Sequence, residues 1–352
     1  MTPSAKRSCA PVFVVGSPRS GTTLLYDMLL SAGGFAVYLG ESNIFNLVAP
    51  RFGDLSVRSN REQMLNVWLG SKLFRVTGLE REQIEAKILS DCRNAGDFLR
   101  IFMDEVVRQQ NARRWAGNAP EEMLHLPLIK RTIPDALIIH VIRDGRDVAV
   151  SLSQKRYIRP FPWKERETPE GCALYWEWMV QKGRALGQSL GPDYTEVRFE
   201  QLVSEPRGVL SQLSSFLEHE LDYERIQRTA LGSVGKPNTS FRKESATEFN
   251  PVGRWKTQLT ESQLAQIELL VGPTLTQLGY PLTRSVESSG SSLALGWTRV
   301  LYRSFFSLKL SSKTNSWMRA LRPALTSREV DEISIADEKA AAEFHRASTH
   351  VR

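Results

Sequence analysis

The sequence predicts an α/β fold, a P-loop-like parallel sheet flanked by helices, and three observations predict it. Residues 12–25 read VFVVGSPRSGTTLL, an apolar β-branched run that breaks into a glycine-bounded loop and then a helical pattern. Residues 136–152, ALIIHVIRDGRDVAVSL, repeat that order of buried strand, polar turn and helix. Strand-like and helix-like stretches alternate through the rest of the first 280 or so residues, as parallel strands joined by helices require.

The first loop keeps the frame of a phosphate-binding P-loop through Gly16 and Gly21, but Thr22 stands where the lysine of a nucleotide triphosphatase would be, and Thr23 follows. The loop still suits an anion. Successive N–H groups and the positive end of the helix dipole converge on one point. Arg19 adds a planar fork, and Ser20, Thr22 and Thr23 add hydroxyl donors. An ordinary turn is the bland alternative, which the dense P-R-S-G-T-T string disfavours.

The second turn carries Arg143, Asp144, Arg146 and Asp147, and part of it reads as mutual pairing of these charges. A rival reading makes Asp144 the magnesium carboxylate of a kinase-like site, but it lacks the lysine partner. In a parallel sheet the loops after both strands open on the same edge, where such folds bind nucleotides.

With both motifs in hand, the chain resembles the sulfotransferases that use 3′-phosphoadenosine 5′-phosphosulfate, and it is closest to their tyrosylprotein, carbohydrate and bacterial branches. The resemblance covers roughly residues 10–282 and implies the sulfotransferase fold. It implies that Arg19, Ser20, Gly21, Thr22 and Thr23 surround the 5′-phosphosulfate, and that Arg143 and Ser151 hold the 3′-phosphate. A looser match at 240–260, SFRKESATEFNPVGRWKTQLT, adds Arg242, Lys243, Arg254 and Lys256 near that phosphate. VRFEQLVSE at 197–205 resembles the family's R-Y-E-D-L element, with Phe199 for tyrosine. Sulfuryl transfer is an in-line displacement helped by cations and donors aimed at oxygen, so no metal is required.

The acceptor must lose a proton, and two residues are candidate bases. Glu41, in YLGESNIF, sits where the tyrosylprotein and related branches carry a G-E glutamate. His125, in LHLPL, resembles the histidine of the cytosolic K-x-H-L-P string. The K-T-P site of the family reads Asn118-Ala119-Pro120 here, so the lysine expected near the bridging oxygen is replaced, and Lys130 is a conceivable substitute.

Further elements follow from pattern: an extended segment at 35–38, a helix at 97–114, a strand at 195–199, a helix opened by Pro206, and a last helix at 261–278 stopped by Gly279. Residues 1–284 read as one sulfotransferase domain and 285–292 as a flexible joint. Residues 293–352 form a basic amphipathic tail, which suits an anionic membrane surface or, alternatively, packing on the domain or a second subunit of a homodimer. The aromatic and basic stretch 155–171 is a candidate cover for the acceptor.

The chain has 352 residues and a net charge of +7, accounted for by donor phosphates, an anionic substrate and a membrane face; no nucleic-acid motif accompanies it. Its 3 cysteines and 5 histidines show neither disulfide nor metal spacing. The short N-terminal apolar run belongs to the first strand, so the expectation is a cytoplasmic enzyme, peripheral at the inner membrane face through its tail. The expected acceptor is a hydroxyl of a carbohydrate, glycolipid or other polar molecule. The rivals are a nucleotide-dependent kinase and a non-catalytic nucleotide-binding, membrane-associated protein, the latter favoured by Asn118 and the tail.

Overall fold

The computed structural model describes residues 7–155, 167–235, 250–283, 292–314 and 323–349. Four strands, β1 (Val12–Gly16), β2 (Ala116–Asn118), β3 (Leu137–Ile142) and β4 (Tyr194–Arg198), form a parallel sheet in the order β2-β1-β3-β4. The central strands are apolar because both faces are covered, apart from the buried His140, whose Nδ1 lies 2.7 Å from the Tyr194 hydroxyl. Phe13, Val15, Ile138 and Ile142 enter one core, while Val12, Val14, Leu137, Ile139 and Val141 enter the other.

Register positions the site. Gly16 lies opposite Val141, so β1 and β3 end level with each other. The strand order runs from β1 to β2 on one side and through β3 to β4 on the other. The loops after β1 and β3 therefore diverge and leave a crevice between them. Helices Thr22–Ser31 and Gly145–Lys155 leave from these two loops, and the helix Pro169–Gln188 packs along the second.

Three elements differ from the sequence expectation. The predicted helix at 97–114 is Ala95–Gln109, started by the Asn94 side chain, which accepts from the N–H groups of Gly96 and Asp97. Asn111 turns left-handed after it, and Arg114 leaves the helix to pair with Phe35 in a parallel bridge. Its buried guanidinium donates to the carbonyls of Ala10 and Leu217. The last strand ends at Arg198, because Phe199 opens the helix Phe199–Ser204 and buries its ring. The final family-like helix ends at Gln277, with Leu278 as its cap and Gly279 at a φ of 78°.

In the tail, one of the two expected arrangements is seen along one side. In the described part of the helix Ser292–Thr314, Tyr302 and Phe306 are buried on the domain, and Phe306 meets the rings of Tyr175 and Trp178 at 5.2 and 5.5 Å. Arg299 donates from Nε to the buried Glu177 at 2.8 Å. Packing on the domain thus absorbs one side of the tail helix, leaving Trp297, Val300, Leu301 and Leu308 exposed. Among the described residues no helix is long and apolar enough to cross a membrane. Residues 285–291 of the expected joint at 285–292 and most of the stretch at 155–171 lie outside the described residues.

Candidate active site

The loop after β1 is shaped by backbone constraints that only certain residues meet. A β-carbon at Gly16 would stand 2.6 Å from the Val141 carbonyl oxygen, and one at Gly21 would run into the Phe199 ring. Gly21 also has a φ of 95°, which favours glycine, and Arg19 is held left-handed at 73°. Such strain in a non-glycine residue persists only where the surroundings hold it. No side chain caps the helix that Gly21 opens, so its first N–H groups point at the loop. The Ser20 hydroxyl is buried and has no partner among the described residues. Such an arrangement suits an anion.

The loop after β3 closes on the first. Arg19 Nε donates to Ser151 Oγ at 2.9 Å, and Arg143 donates to the carbonyl oxygen of Arg19 at 3.0 Å. Arg143 is buried with its guanidinium 4.4 Å above the Phe199 ring, and it also reaches the Pro251 carbonyl. Burial disfavours its charge and Asp147, 3.8 Å away, opposes that effect. Asp147 also accepts from the N–H groups of Gly253 and Trp255, which brings the 250–258 segment to Arg143.

The expected charge pairing therefore exists, but it is divided. Arg146 is spent on structure, held by Asp144 and Glu268 at 2.7 Å each. Arg254 is half-buried beside this cluster, and burial lowers its pKa. Lys256 is exposed and lies over the Trp255 ring. Arg242 and Lys243 lie outside the described residues.

Glu41 and His125 part company. Glu41 lines a cavity of about 520 Å³ together with Arg19, Gly21, Thr22, Thr23 and Arg143. His125 is buried at the end of the 3-10 helix Pro120–His125 and is absent from the lining; burial pushes its pKa down to about 4. Asn118, at the end of β2, donates to Glu41 Oε1 at 3.3 Å. Burial raises the Glu41 pKa to about 7, with Arg19 pulling it down and Glu121 pushing it up. A carboxyl so poised can exchange a proton near neutral pH. Lys130 is no substitute for the missing lysine: it donates to Ala136 O at 3.0 Å and Asp193 at 2.9 Å, at the opposite end of β3.

The comparison with known proteins follows this geometry. A profile described as "Sulfotransferase family" matches residues 11–223, more than half of the 352 residues. The chain belongs to the sulfotransferase family. This sulfotransferase is 27% identical over 276 residues to protein-tyrosine sulfotransferase A of Caenorhabditis elegans, covering 76% of this chain and 67% of that one. It is 23% identical over 288 residues to a putative protein-tyrosine sulfotransferase of Caenorhabditis briggsae, covering 78% and 90%. Among solved structures, the sulfotransferase domain from the curacin biosynthetic pathway shares the fold at a TM-score of 0.50 and 18% identity, over 78% of this chain and 98% of that one.

Some contributors to the sulfotransferase cavity escaped sequence reasoning. Glu121 lines it, held by Asn46 at 2.7 Å and by the Tyr175 hydroxyl at 2.6 Å. Phe199 was noted only as a substitution within a motif, yet its ring underlies both Gly21 and Arg143. Ile333 and Ile335 reach the cavity from the tail, where no motif marks them.

Proposed function

We propose that this sulfotransferase moves a sulfuryl group from 3′-phosphoadenosine 5′-phosphosulfate to a hydroxyl, with Glu41 as the base. The observation that carries the donor assignment is the bond of Arg19 to Ser151, with Arg143 tied to the Arg19 backbone. It brings two basic, helix-opening loops to one crevice, as a nucleotide bearing anions at both ends of its ribose needs. The Gly16 and Gly21 cradle and the unpartnered Ser20 hydroxyl suit the 5′ end. Arg143 and Ser151 suit the 3′-phosphate.

In the transfer, Glu41 accepts the acceptor's proton as the new oxygen–sulfur bond forms. The bond from sulfur to the bridging phosphate oxygen breaks, and Arg19 with the N–H groups of the Thr22 turn stabilises the negative charge left there. Arg19 is the cation nearest to hand for this work, since Asn118 replaces the usual lysine. Asn118 instead orients the Glu41 carboxyl.

For the acceptor, the names of the relatives favour a tyrosyl hydroxyl over the carbohydrate or glycolipid expected from sequence. Labelled donor offered with a tyrosine peptide and with sugar acceptors tests this. Transfer to the peptide supports it, and transfer confined to sugars restores the first expectation. The kinase reading has no support from the P-loop lysine or from the family. A cytoplasmic enzyme touching an anionic membrane remains our proposal for its location; the exposed Trp297, Leu301 and Leu308 support it, and sedimentation with anionic vesicles tests it.

A further inference from the structure

The C-terminal segment lies beyond the family match, yet it forms part of the cavity wall. It is fixed on both flanks. The helix Ser327–Ile333 is held by Ser327 Oγ, which donates to the Val67 carbonyl at 2.8 Å, and by Asp331, which accepts from the Lys72 N–H at 2.6 Å. The helix Glu338–Thr349 is held by an Arg75–Glu338 ion pair at 2.8 Å and by His345 against the Val76 carbonyl at 3.1 Å.

Between these helices an extended strap runs antiparallel to residues 39–41. The Glu41 N–H donates to the Ile335 carbonyl at 2.8 Å, the Asp337 N–H donates to the Leu39 carbonyl at 2.9 Å, and Gly40 pairs with Ala336. Ile333 ends the first helix and Ile335 lies in the strap. Ser334 is buried, while Ile333 and Ile335 line the Glu41 cavity and remain 39% and 58% exposed. Two large apolar side chains are thus presented beside the carboxyl that faces the acceptor.

We propose that Ile333 and Ile335 determine acceptor specificity by packing against an apolar group that flanks the reacting hydroxyl. This rests on the sulfuryl-transfer reading of the cavity. An acceptor bearing further hydroxyls at that position would lose their water without gaining partners, which two isoleucines cannot supply. An alkyl or aryl flank gains burial instead. The strap also fixes the Glu41 backbone, so the wall that selects the acceptor and the base that deprotonates it are set by one pairing.

The test is calorimetric titration of the full chain, saturated with adenosine 3′,5′-bisphosphate, with a series of 4-alkylphenols from methyl to butyl. Affinity should rise with each methylene, by up to ~4-fold. The double variant Ile333→Ser/Ile335→Ser should lose that rise while binding the bisphosphate as before. Ile333→Val/Ile335→Val should keep it, which controls for damage to the fold. No rise in the native chain, or the same rise in the serine variant, overturns the proposal. Turnover with labelled donor is read separately. Isoleucine-dependent phenol binding without transfer would overturn the transfer reading and leave the strap's role standing. Transfer indifferent to alkyl length would do the reverse.

Discussion

Arg19 Nε donates to Ser151 Oγ at 2.9 Å, joining across 132 residues the loop after β1 to the helix after β3. Each loop opens a helix and carries a basic side chain; on the proposed reading, the join sets the distance between two anions of one nucleotide. Arg143 reinforces the join through the Arg19 carbonyl.

The 3′ preference should therefore depend on Arg143. Arg143→Ala should weaken adenosine 3′,5′-bisphosphate by about 10- to 150-fold, the loss of a charge-assisted contact of ~1.5–3 kcal/mol, and change adenosine 5′-monophosphate far less. Titration calorimetry with both nucleotides checks it.

The candidate bases are separable. Glu41→Gln keeps the shape of the carboxyl and removes its basicity, so turnover should fall by ~10²- to 10⁴-fold with donor affinity little changed. His125→Asn should leave turnover nearly intact, because its ring stands outside the cavity lining. A loss confined to His125→Asn would remove Glu41 from the mechanism.

Burial sets the pH at which Glu41 would work as a base. With a neutral donor beside it, Glu41 has its pKa raised to about 7 by burial, so kcat/KM should climb as pH rises through 7 and level off above. Asn118→Lys places a cation at the carboxyl and should move that climb to lower pH, by about one pH unit or more. An unmoved profile would mean that another group limits it.

Stability carries its own signature at Glu122. Burial raises its pKa from the ordinary 4.5 to about 8, against an N–H bond from Phe45. The folded chain therefore holds a proton that the unfolded chain has already released, so this contribution is full below pH 4.5 and is lost as pH rises through 8. Glu122→Gln should abolish that loss. Its melting temperature should exceed that of the parent at pH 8 by a few degrees, each ~1 kcal/mol being worth about 2–4 °C in domains of this order of size. At pH 4.5 the two should melt alike.

What the sequence disclosed follows from where its information is local. β1 and β3 were plain because both faces are buried and the text is apolar but for His140, and the loops after them carry their chemistry within ten residues. β2 was not predicted as a strand, because Ala116–Asn118 is only three residues and owes its form to pairing with β1. The hydrogen bond from Asn118 to Glu41 spans 77 residues, so sequence recorded the missing lysine without showing what Asn118 touches in its place. That Glu41 lines the cavity and His125 does not was likewise visible only in three dimensions. The strap was least legible of all, since Ile333 and Ile335 are ordinary apolar residues until the helix end and the pairing with residues 39–41 bring them to the cavity.

The account stands or falls on the donor. Titrating the full chain with adenosine 3′,5′-bisphosphate and with adenosine 5′-monophosphate, side by side, measures what the joined loops are built to read. The prediction is binding at least ~10-fold tighter for the bisphosphate, at the weak end of a charge-assisted phosphate contact. Equal affinity for the two nucleotides would contradict it.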